Sequence, residues 1–391
     1  MRLPEYSLNQ FLYYYLKILG LCPFQLCNNN ILVRCTVSTA YTCALSGLYI
    51  IIFIFMTKYR FGVIFSFETP MFVIANTLVV VLEFFAVMSV WMNGIFLQHV
   101  LREIIRNFRR ISNSLRRFGC RDNHNLNIRR MSCVVLVVHG VYMTMIISDM
   151  FIHPSIGNVN WIVRIIFDVV RKLSHIFTAL FICALWILKG YLCFINAFIR
   201  RFSDCPGGSI RKDISRRISC YGGEVVYLRA LAQVRIDLQD LLKMIENFVR
   251  SPVLFFMITH LVNIASYLYV ICLHFNKESN VKITMTFLLF FGWLIINSME
   301  VLTTIQAVTA VVLEGNCSGN VFHRVIIEYY RTDVVDTVKV ISLRFLQKPM
   351  EFSLYGFMDL NPSLFYKVSS AMATYFVILM QLDIQNGSHQ M

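Results

Sequence analysis

Seven long apolar runs separate the polar segments of this chain, and they restrict it to folds that can bury such runs in lipid. A helix needs about 20 apolar residues to cross a bilayer. Seven runs meet that length, at residues 36–56, 70–91, 131–152, 174–199, 251–273, 284–313 and 363–382. The sequence therefore predicts an all-α membrane protein with seven transmembrane helices.

The composition excludes a soluble protein and a nucleic-acid-binding protein. Only 15% of the residues are charged, whereas a soluble domain has about 25%. The formal net charge of +14 comes from basic residues that alternate with the apolar runs, a pattern typical of cytoplasmic loops beside anionic membrane lipids. The twelve cysteines form no CxxC pair, so we expect no disulfide framework, no metal centre and no cofactor.

The distribution of Lys and Arg predicts the orientation. Segments 1–35, 92–130, 200–250 and 314–362 together hold 27 of the 36 Lys and Arg residues, and the segments on the opposite side of the membrane hold 7. Because basic loops stay in the cytoplasm, the N-terminus is predicted to be cytoplasmic and the C-terminus extracellular. A G-protein-coupled receptor has the reverse orientation.

Other function classes are weighed by the motifs they require. The chain contains no HExxH, GxSxG or GxxxxGK[ST] motif, so we do not expect an enzyme. A transporter would show internal repeats, and none is visible. A metabotropic seven-helix receptor and a membrane transporter stay as the alternatives to the function given below.

Two segments that are predicted to be cytoplasmic have apolar residues spaced by three and four, as on one face of a helix. The stripe in 224–249 consists of Leu228, Leu231, Val234, Leu238, Leu241, Ile245 and Phe248, and the stripe in 92–118 of Phe96, Val100, Ile104, Phe108, Ile111, Leu115 and Phe118. Such stripes cannot stay in water, so these helices are expected to pack on each other, on a neighbouring subunit or on the bilayer. The basic residues beside them form a solvated face or a phosphoinositide site.

The predicted organisation follows from these spans and loops. It consists of an interfacial N-terminal segment (1–35), helices one to six with the ligand-binding bundle (36–313), two cytoplasmic helical loops (92–130 and 200–250), a cytoplasmic anchor segment (314–362), the seventh helix (363–382) and an extracellular tail (383–391).

The last helix carries a short motif. Thr374-Tyr375 is followed by five apolar residues and then by Gln381-Leu382. This resembles the insect gustatory receptor family, whose hallmark is Thr-Tyr, five hydrophobic residues and Gln-Phe at the end of the seventh helix. Leu382 replaces the usual Phe, as it does in the related olfactory co-receptor subunits. The helix count, inverted topology and long cytoplasmic loops extend the resemblance over nearly the whole chain.

The resemblance implies a function and an assembly. Members of this family are similar to tetrameric ligand-gated cation channels, in which the seventh helix of each subunit lines one central pore. It implies a gustatory receptor for a small-molecule tastant, bitter or otherwise not a sugar. The receptor would lie among the lipids of the plasma membrane of sensory-neuron dendrites, as a homotetramer or with related receptor subunits.

Helical spacing supports a pore face on the last helix independently of the family resemblance. One face of the last helix holds Thr374, Ile378, Gln381 and Leu382. A ring of Gln381 amides would replace part of the hydration shell of an ion, and rings of Ile378 and Leu382 would close the pore by dewetting. Asp383 would concentrate cations at the outer mouth. Alternatively, Gln381 makes an interhelical hydrogen bond and Asp383 is a solvated helix end.

Polar and aromatic residues inside apolar spans are candidates for a ligand pocket in the outer half of the bundle, because unpaired polar groups there are costly. The candidates are Asp149, His175, Thr178, Asn263, Tyr267, His274, Trp293 and Asn297. Helix packing and interfacial anchoring are equally good explanations for any one of them. Three further charges, Glu83, Lys189 and Glu300, lie inside spans at comparable predicted depth. Either Lys189 pairs with Glu83 or Glu300, or the three charges reach cytoplasmic water where their helices project from the bilayer.

Overall fold

The computed structural model describes residues 13–22, 24–26, 32–59, 70–120, 124–152, 161–203, 223–275, 281–328, 332–356 and 358–388. Residues 13–18 are helical, and the helices with both ends described are α1 (Thr36–Tyr59), α2 (Pro70–Phe96), α3 (Gln98–Arg117), α4 (His124–Ile152), α5 (Trp161–Arg171), α6 (Leu173–Ser203), α7 (Glu224–Phe275), α8 (Val281–Glu328), α9 (Thr332–Gln347) and α10 (Pro362–Ser388). Two short antiparallel hairpins accompany them, β1 (Phe24–Leu26) with β2 (Leu32–Arg34) and β3 (Ser353–Leu354) with β4 (Met358–Asp359). The predominantly helical class is confirmed.

Six helices in the described part of the chain are long and apolar enough to cross a membrane, and they contain the first six predicted spans. The seventh predicted span lies in α10. This helix is long enough to cross a membrane, and it carries the polar residues Lys367, Ser370, Thr374 and Gln381 among its apolar ones.

Two helices are much longer than the spans predicted in them. α7 has 52 residues and α8 has 48, so at 1.5 Å per residue each is about 70–80 Å long. A bilayer core is only about 30 Å thick, and both helices must extend well outside it. The amphipathic segment 224–249 and the span 251–273, which were predicted as separate pieces, are one continuous helix.

A proline lies in the middle of this continuous helix. Pro252 has no backbone N–H, so the carbonyl oxygen of Phe248 loses the partner that a helix normally gives it. The side chain of Asn93, near the end of α2, donates to that oxygen from Nδ2 at 2.5 Å. The hydrogen bond from α2 thus replaces the missing helical bond of α7.

The main core is formed by the amphipathic stripes. All seven residues of the 224–249 stripe are buried, and the 92–118 stripe is buried or half-buried except for Phe96, the last residue of α2. α3 packs along α7, where Asn107 Nδ2 donates to Met244 Sδ at 3.4 Å. Of the three predicted alternatives, packing on each other, on a neighbouring subunit or on the bilayer, the structure shows the first.

A second feature of this core joins α7, α8 and the chain after α9, and we call it the anchor core: Arg235, Gln239, Gly315, Asn316 and Met350. Arg235 is fully buried and donates to the carbonyl of Gly315 at 2.9 Å and to Gln239 Oε1 at 3.2 Å. Asn316 bonds both backbone groups of Met350, accepting from its N–H at 2.7 Å and donating to its carbonyl at 3.0 Å. These bonds fix the segment that leads into α10.

Candidate functional site

Charged residues meet inside the bundle where α5 ends and α6 begins. Arg171 and Lys172 both contact the carboxylate of Glu83 on α2, with Lys172 Nζ 3.1 Å from Glu83 Oε1. Arg171 also donates to Asp168 at 3.2 Å. Buried charges are tolerated only when paired, and these four residues, which we call the ion-pair cluster, contain two acids and two bases.

Two aromatic rings connect the ion-pair cluster to the next helices. Lys172 Nζ lies 4.8 Å from the ring centre of Trp293 on α8 and 5.7 Å from that of Tyr142 on α4. The two rings are themselves 5.8 Å apart. A cation over an aromatic face is attracted by the ring quadrupole, so Lys172 ties α4 and α8 to the start of α6.

A carboxylate–histidine triad, His175, His260 and Glu300, lies beside these rings. Glu300 Oε2 on α8 is 2.7 Å from Nδ1 of His175 on α6 and 3.2 Å from Nε2 of His260 on α7. The hydroxyl of Tyr142 lies 2.8 Å from the same Nδ1 of His175. Three consecutive spans therefore contribute one side chain each to a single point.

Asn297 and Asn263 support the triad from one turn away. Nδ2 of Asn297 donates to the carbonyl of Trp293 at 2.6 Å, which turns Oδ1 towards Nδ1 of His260 at 2.6 Å. Asn263 Nδ2 donates to the same oxygen at 3.5 Å. The orientation of the His260 ring is thus fixed by groups that do not belong to the triad.

The structure brings most of the predicted ligand residues to this region. His175, Thr178, Asn263, Trp293 and Asn297 are all buried in or next to it. Tyr267 packs with the Trp293 group, and Asp149 is half-buried on α4, two turns beyond Tyr142. The side chain of His274 lies outside the described residues. Whether any of them contacts a ligand stays a prediction.

The predicted pairing of Lys189 with Glu83 or Glu300 is wrong. Lys172 and His175 bind those carboxylates at the start of α6, and Lys189 follows His175 by 14 residues, or about 21 Å along the helix. Its Nζ instead lies 5.7 Å from the ring centre of Trp186. The depths of the three charges were misjudged because counting residues from helix ends assumes that every helix starts at one level.

Sequence reasoning missed Tyr142, Arg171 and Lys172 as members of the site. Arg171 and Lys172 had been counted as loop charges, and Tyr142 sits among apolar residues without any motif. One signal was available: Glu83 needs a basic partner inside the bundle, and Lys172 is only three residues from the candidate His175. Which basic residue contacts the Glu83 carboxylate depends on how the helices pack.

An apolar groove runs between α7, α8 and α10 and has a volume of about 440 Å³. Leu261 and Leu268 of α7, Val301 of α8, and Leu364 and Val368 of α10 are among its lining residues. It lies on the same two helices as His260 and Glu300. The first half of α10 therefore rests on the helices that build the triad.

The predicted pore residues lie further along α10. Thr374, Ile378 and Gln381 are exposed in the single chain, and the Thr374 hydroxyl donates to the carbonyl of Ser370 at 3.1 Å. The side chains of Leu382 and Asp383 lie outside the described residues, although the helix itself continues to Ser388, beyond its predicted end. The roles of these residues stay predictions.

The chain is similar to known proteins over nearly its full length, both in sequence family and in three-dimensional structure. Residues 10–386 match the family model described as 7tm Chemosensory receptor. In three dimensions the chain is similar to the insect olfactory receptor OR5 from Machilis hrabei, with a TM-score of 0.66 and 14% sequence identity over 97% of this chain and 99% of that one. The structure of that receptor in complex with eugenol gives the same values. No curated protein sequence matches the chain.

Proposed function

Because the chain belongs to the 7tm chemosensory receptor family, we propose that it is a gustatory receptor that acts as a ligand-gated, non-selective cation channel. Family membership confirms the resemblance to insect chemoreceptors that the last helix indicated. The observation that carries the channel proposal is α10, a long helix on which Thr374, Ile378 and Gln381 share one face by helical spacing and are exposed in the single chain. Two of these three side chains are polar, so water or other copies of the same helix would cover this face better than lipid does.

The proposed assembly is a tetramer in the plasma membrane of sensory neurons, built from this chain alone or with related subunits. Four copies of α10 around one axis would cover the Thr374–Gln381 side with a water-filled pore. The Ile378 and Leu382 rings would form the constriction, Gln381 would coordinate ions, and Asp383 would attract cations. The orientation, with a cytoplasmic N-terminus, is supported by the basic loops.

The proposed ligand is a small organic tastant, bitter or otherwise not a sugar. Buried aromatic rings with a few polar groups suit such molecules, and Tyr142, Tyr267 and Trp293 provide the rings. The olfactory receptor OR5, which shares the fold, has been solved with the small molecule eugenol. The candidate contacts on this chain are Asp149, His175, Thr178, Asn263, Tyr267, His274, Trp293 and Asn297.

Coupling between ligand and pore would pass through α7 and α8. Both helices carry triad residues and both line the groove in which Leu364, Phe365 and Val368 of α10 lie. A ligand that changes the separation of α7 and α8 at the triad would shift this groove and with it the base of α10. The constriction would widen as the four helices move apart.

Whole-cell current in a heterologous cell that expresses the chain tests the proposal. Bitter compounds and sugars are applied with G-protein signalling blocked, to the wild type and to Gln381→Ala and Leu382→Ala. We expect a tastant-evoked cation current that survives the block. Gln381→Ala should shift its reversal potential when the cations are exchanged, and Leu382→Ala should raise the current without ligand.

Phe376→Leu is the matched control, because helical spacing places position 376 on the face opposite to Thr374 and Ile378. It should leave selectivity and leak unchanged. A response that disappears when G-protein signalling is blocked would support the metabotropic alternative. Equal effects of all three substitutions would contradict the assignment of the pore face.

A further inference from the structure

The triad contains more hydrogen-bond acceptors than donors. Asn297 Oδ1 faces Nδ1 of His260 at 2.6 Å and can only accept, so this nitrogen must carry the hydrogen. Nε2 of a neutral His260 then points a lone pair at Glu300 Oε2, 3.2 Å away. Within the described chain this buried nitrogen makes no hydrogen bond. Two lone pairs at that distance repel each other unless a positive charge lies between them.

The second histidine has the same shortage in one of its two tautomers, since it donates to Glu300 only when Nδ1 carries the hydrogen. Nδ1 of His175 lies 2.7 Å from Glu300 Oε2 and 2.8 Å from the Tyr142 hydroxyl. If it accepts a hydrogen bond from Tyr142, its lone pair also faces the carboxylate. The nearby ion-pair cluster is balanced within itself, since Glu83 and Asp168 oppose Arg171 and Lys172. Within the described chain, Glu300 is therefore a half-buried carboxylate without a basic Lys or Arg partner of its own.

We infer that His175, His260 and Glu300 bind a divalent transition-metal ion, with Zn²⁺ as the best match. Two imidazole nitrogens and one carboxylate oxygen are a donor set that zinc favours. Bonds of about 2.0–2.2 Å in a tetrahedron place donors roughly 3.4 Å apart. The three donor atoms lie within 4.8 Å of one another, and the 2.7 Å between Nδ1 of His175 and Oε2 of Glu300 would have to widen on binding. The ion supplies the positive charge that the lone pairs require.

The surroundings of the triad resemble those of a metal site. Metal-bound histidines use their other ring nitrogen to bond a fixed oxygen, and His260 does this with Asn297 Oδ1. Tyr142 is placed to act as a fourth ligand or to bond a metal-bound water. The side chains of His175 and His260 are 3% and 1% exposed, whereas that of Glu300 is 18% exposed, so an ion would enter from the Glu300 side.

The consequence is a clamp across three spans that shares His175 with the candidate tastant contacts. The metal would join α6, α7 and α8, and it would hold α7 and α8 at one separation beside the groove that they line together with α10. A metal-loaded receptor would therefore respond differently from a metal-free one. The binding itself is a property of the folded chain and does not depend on channel activity.

Direct metal binding tests the inference on the full chain, purified in lipid nanodiscs and stripped with a chelator. Zn²⁺ is titrated against a chromophoric chelator, and Co²⁺ is used in parallel because its visible absorption strengthens in sites of low coordination number. We expect one saturable Zn²⁺ per chain. His175→Gln, His260→Gln and Glu300→Gln should each weaken binding at least about tenfold, and Asn297→Ala about 10–100-fold.

His323→Gln is the control, since His323 is an exposed histidine on the same helix as Glu300, and it should bind Zn²⁺ like the wild type. Absence of saturable Zn²⁺ and Co²⁺ binding by the wild type would overturn the inference and leave a proton as the positive charge. Binding that is equal in all three ligand variants would also overturn it. If those variants do not fold, the wild-type stoichiometry and Co²⁺ spectrum still decide.

Discussion

The ion-pair cluster and the anchor core both bury arginine, but they do so in different ways. Arg171 is buried against the carboxylates of Glu83 and Asp168, whereas Arg235 is bound by the carbonyl of Gly315 and the amide of Gln239. The burial of Arg171 depends on charge balance, whereas the burial of Arg235 depends on neutral hydrogen-bond acceptors in the anchor core. We therefore expect the first to fail when one charge is removed, and the second when backbone partners are lost.

The largest effect is expected when the charge balance of the ion-pair cluster is broken. Glu83→Gln leaves Arg171 and Lys172 buried without their shared carboxylate, and breaking a buried ion pair in this way costs about 3–5 kcal/mol. The melting temperature of the purified receptor should fall sharply. Glu103→Gln removes an exposed carboxylate on α3 and should leave it unchanged. Equal melting temperatures for the two variants would show that the ion-pair cluster contributes little.

A smaller effect is expected in the anchor core. Asn316→Ala leaves both backbone groups of the buried Met350 without their bonds, and a buried unsatisfied group costs about 1–3 kcal/mol. Melting should occur at a lower temperature, and proteolysis should cut sooner in the segment before α10. Asn113→Ala, at an exposed position of α3, is the control. Unchanged proteolysis of the Asn316 variant would mean that other contacts hold this segment.

The smallest effect is expected where an ion pair is exposed. Arg110 and Asp237 join α3 to α7 at 2.8 Å, but the side chain of Arg110 is 64% exposed. Exposed pairs contribute only about 0.2–1 kcal/mol and are screened by salt. A double-mutant cycle with Arg110→Ala and Asp237→Ala measures their coupling energy. A coupling as large as the Glu83 effect would contradict the role assigned to burial.

The apolar stripe of α7 could be predicted from the sequence, whereas the partners in the ion-pair cluster could not. The stripe from Leu228 to Phe248 was correctly predicted to be buried, because helical spacing alone determines which residues share a face. The first six spans were predictable from the length of their apolar runs, and the family from the short motif between Thr374 and Leu382. The partner of Glu83 was not, because Lys189, Arg171 and Lys172 are all bases on one stretch of chain and only the relative levels of α2 and α6 decide between them. The triad likewise required the registers of three helices.

Pro252 restricts which substitutions can be accepted during evolution at a second position, Asn93. Any other residue at this position would bring back an amide hydrogen for the Phe248 carbonyl, which Asn93 now bonds from another helix. The two positions are therefore expected to covary although they lie 159 residues apart. While proline is kept at 252, a donor is favoured at 93, and the loss of the proline would release position 93 to vary.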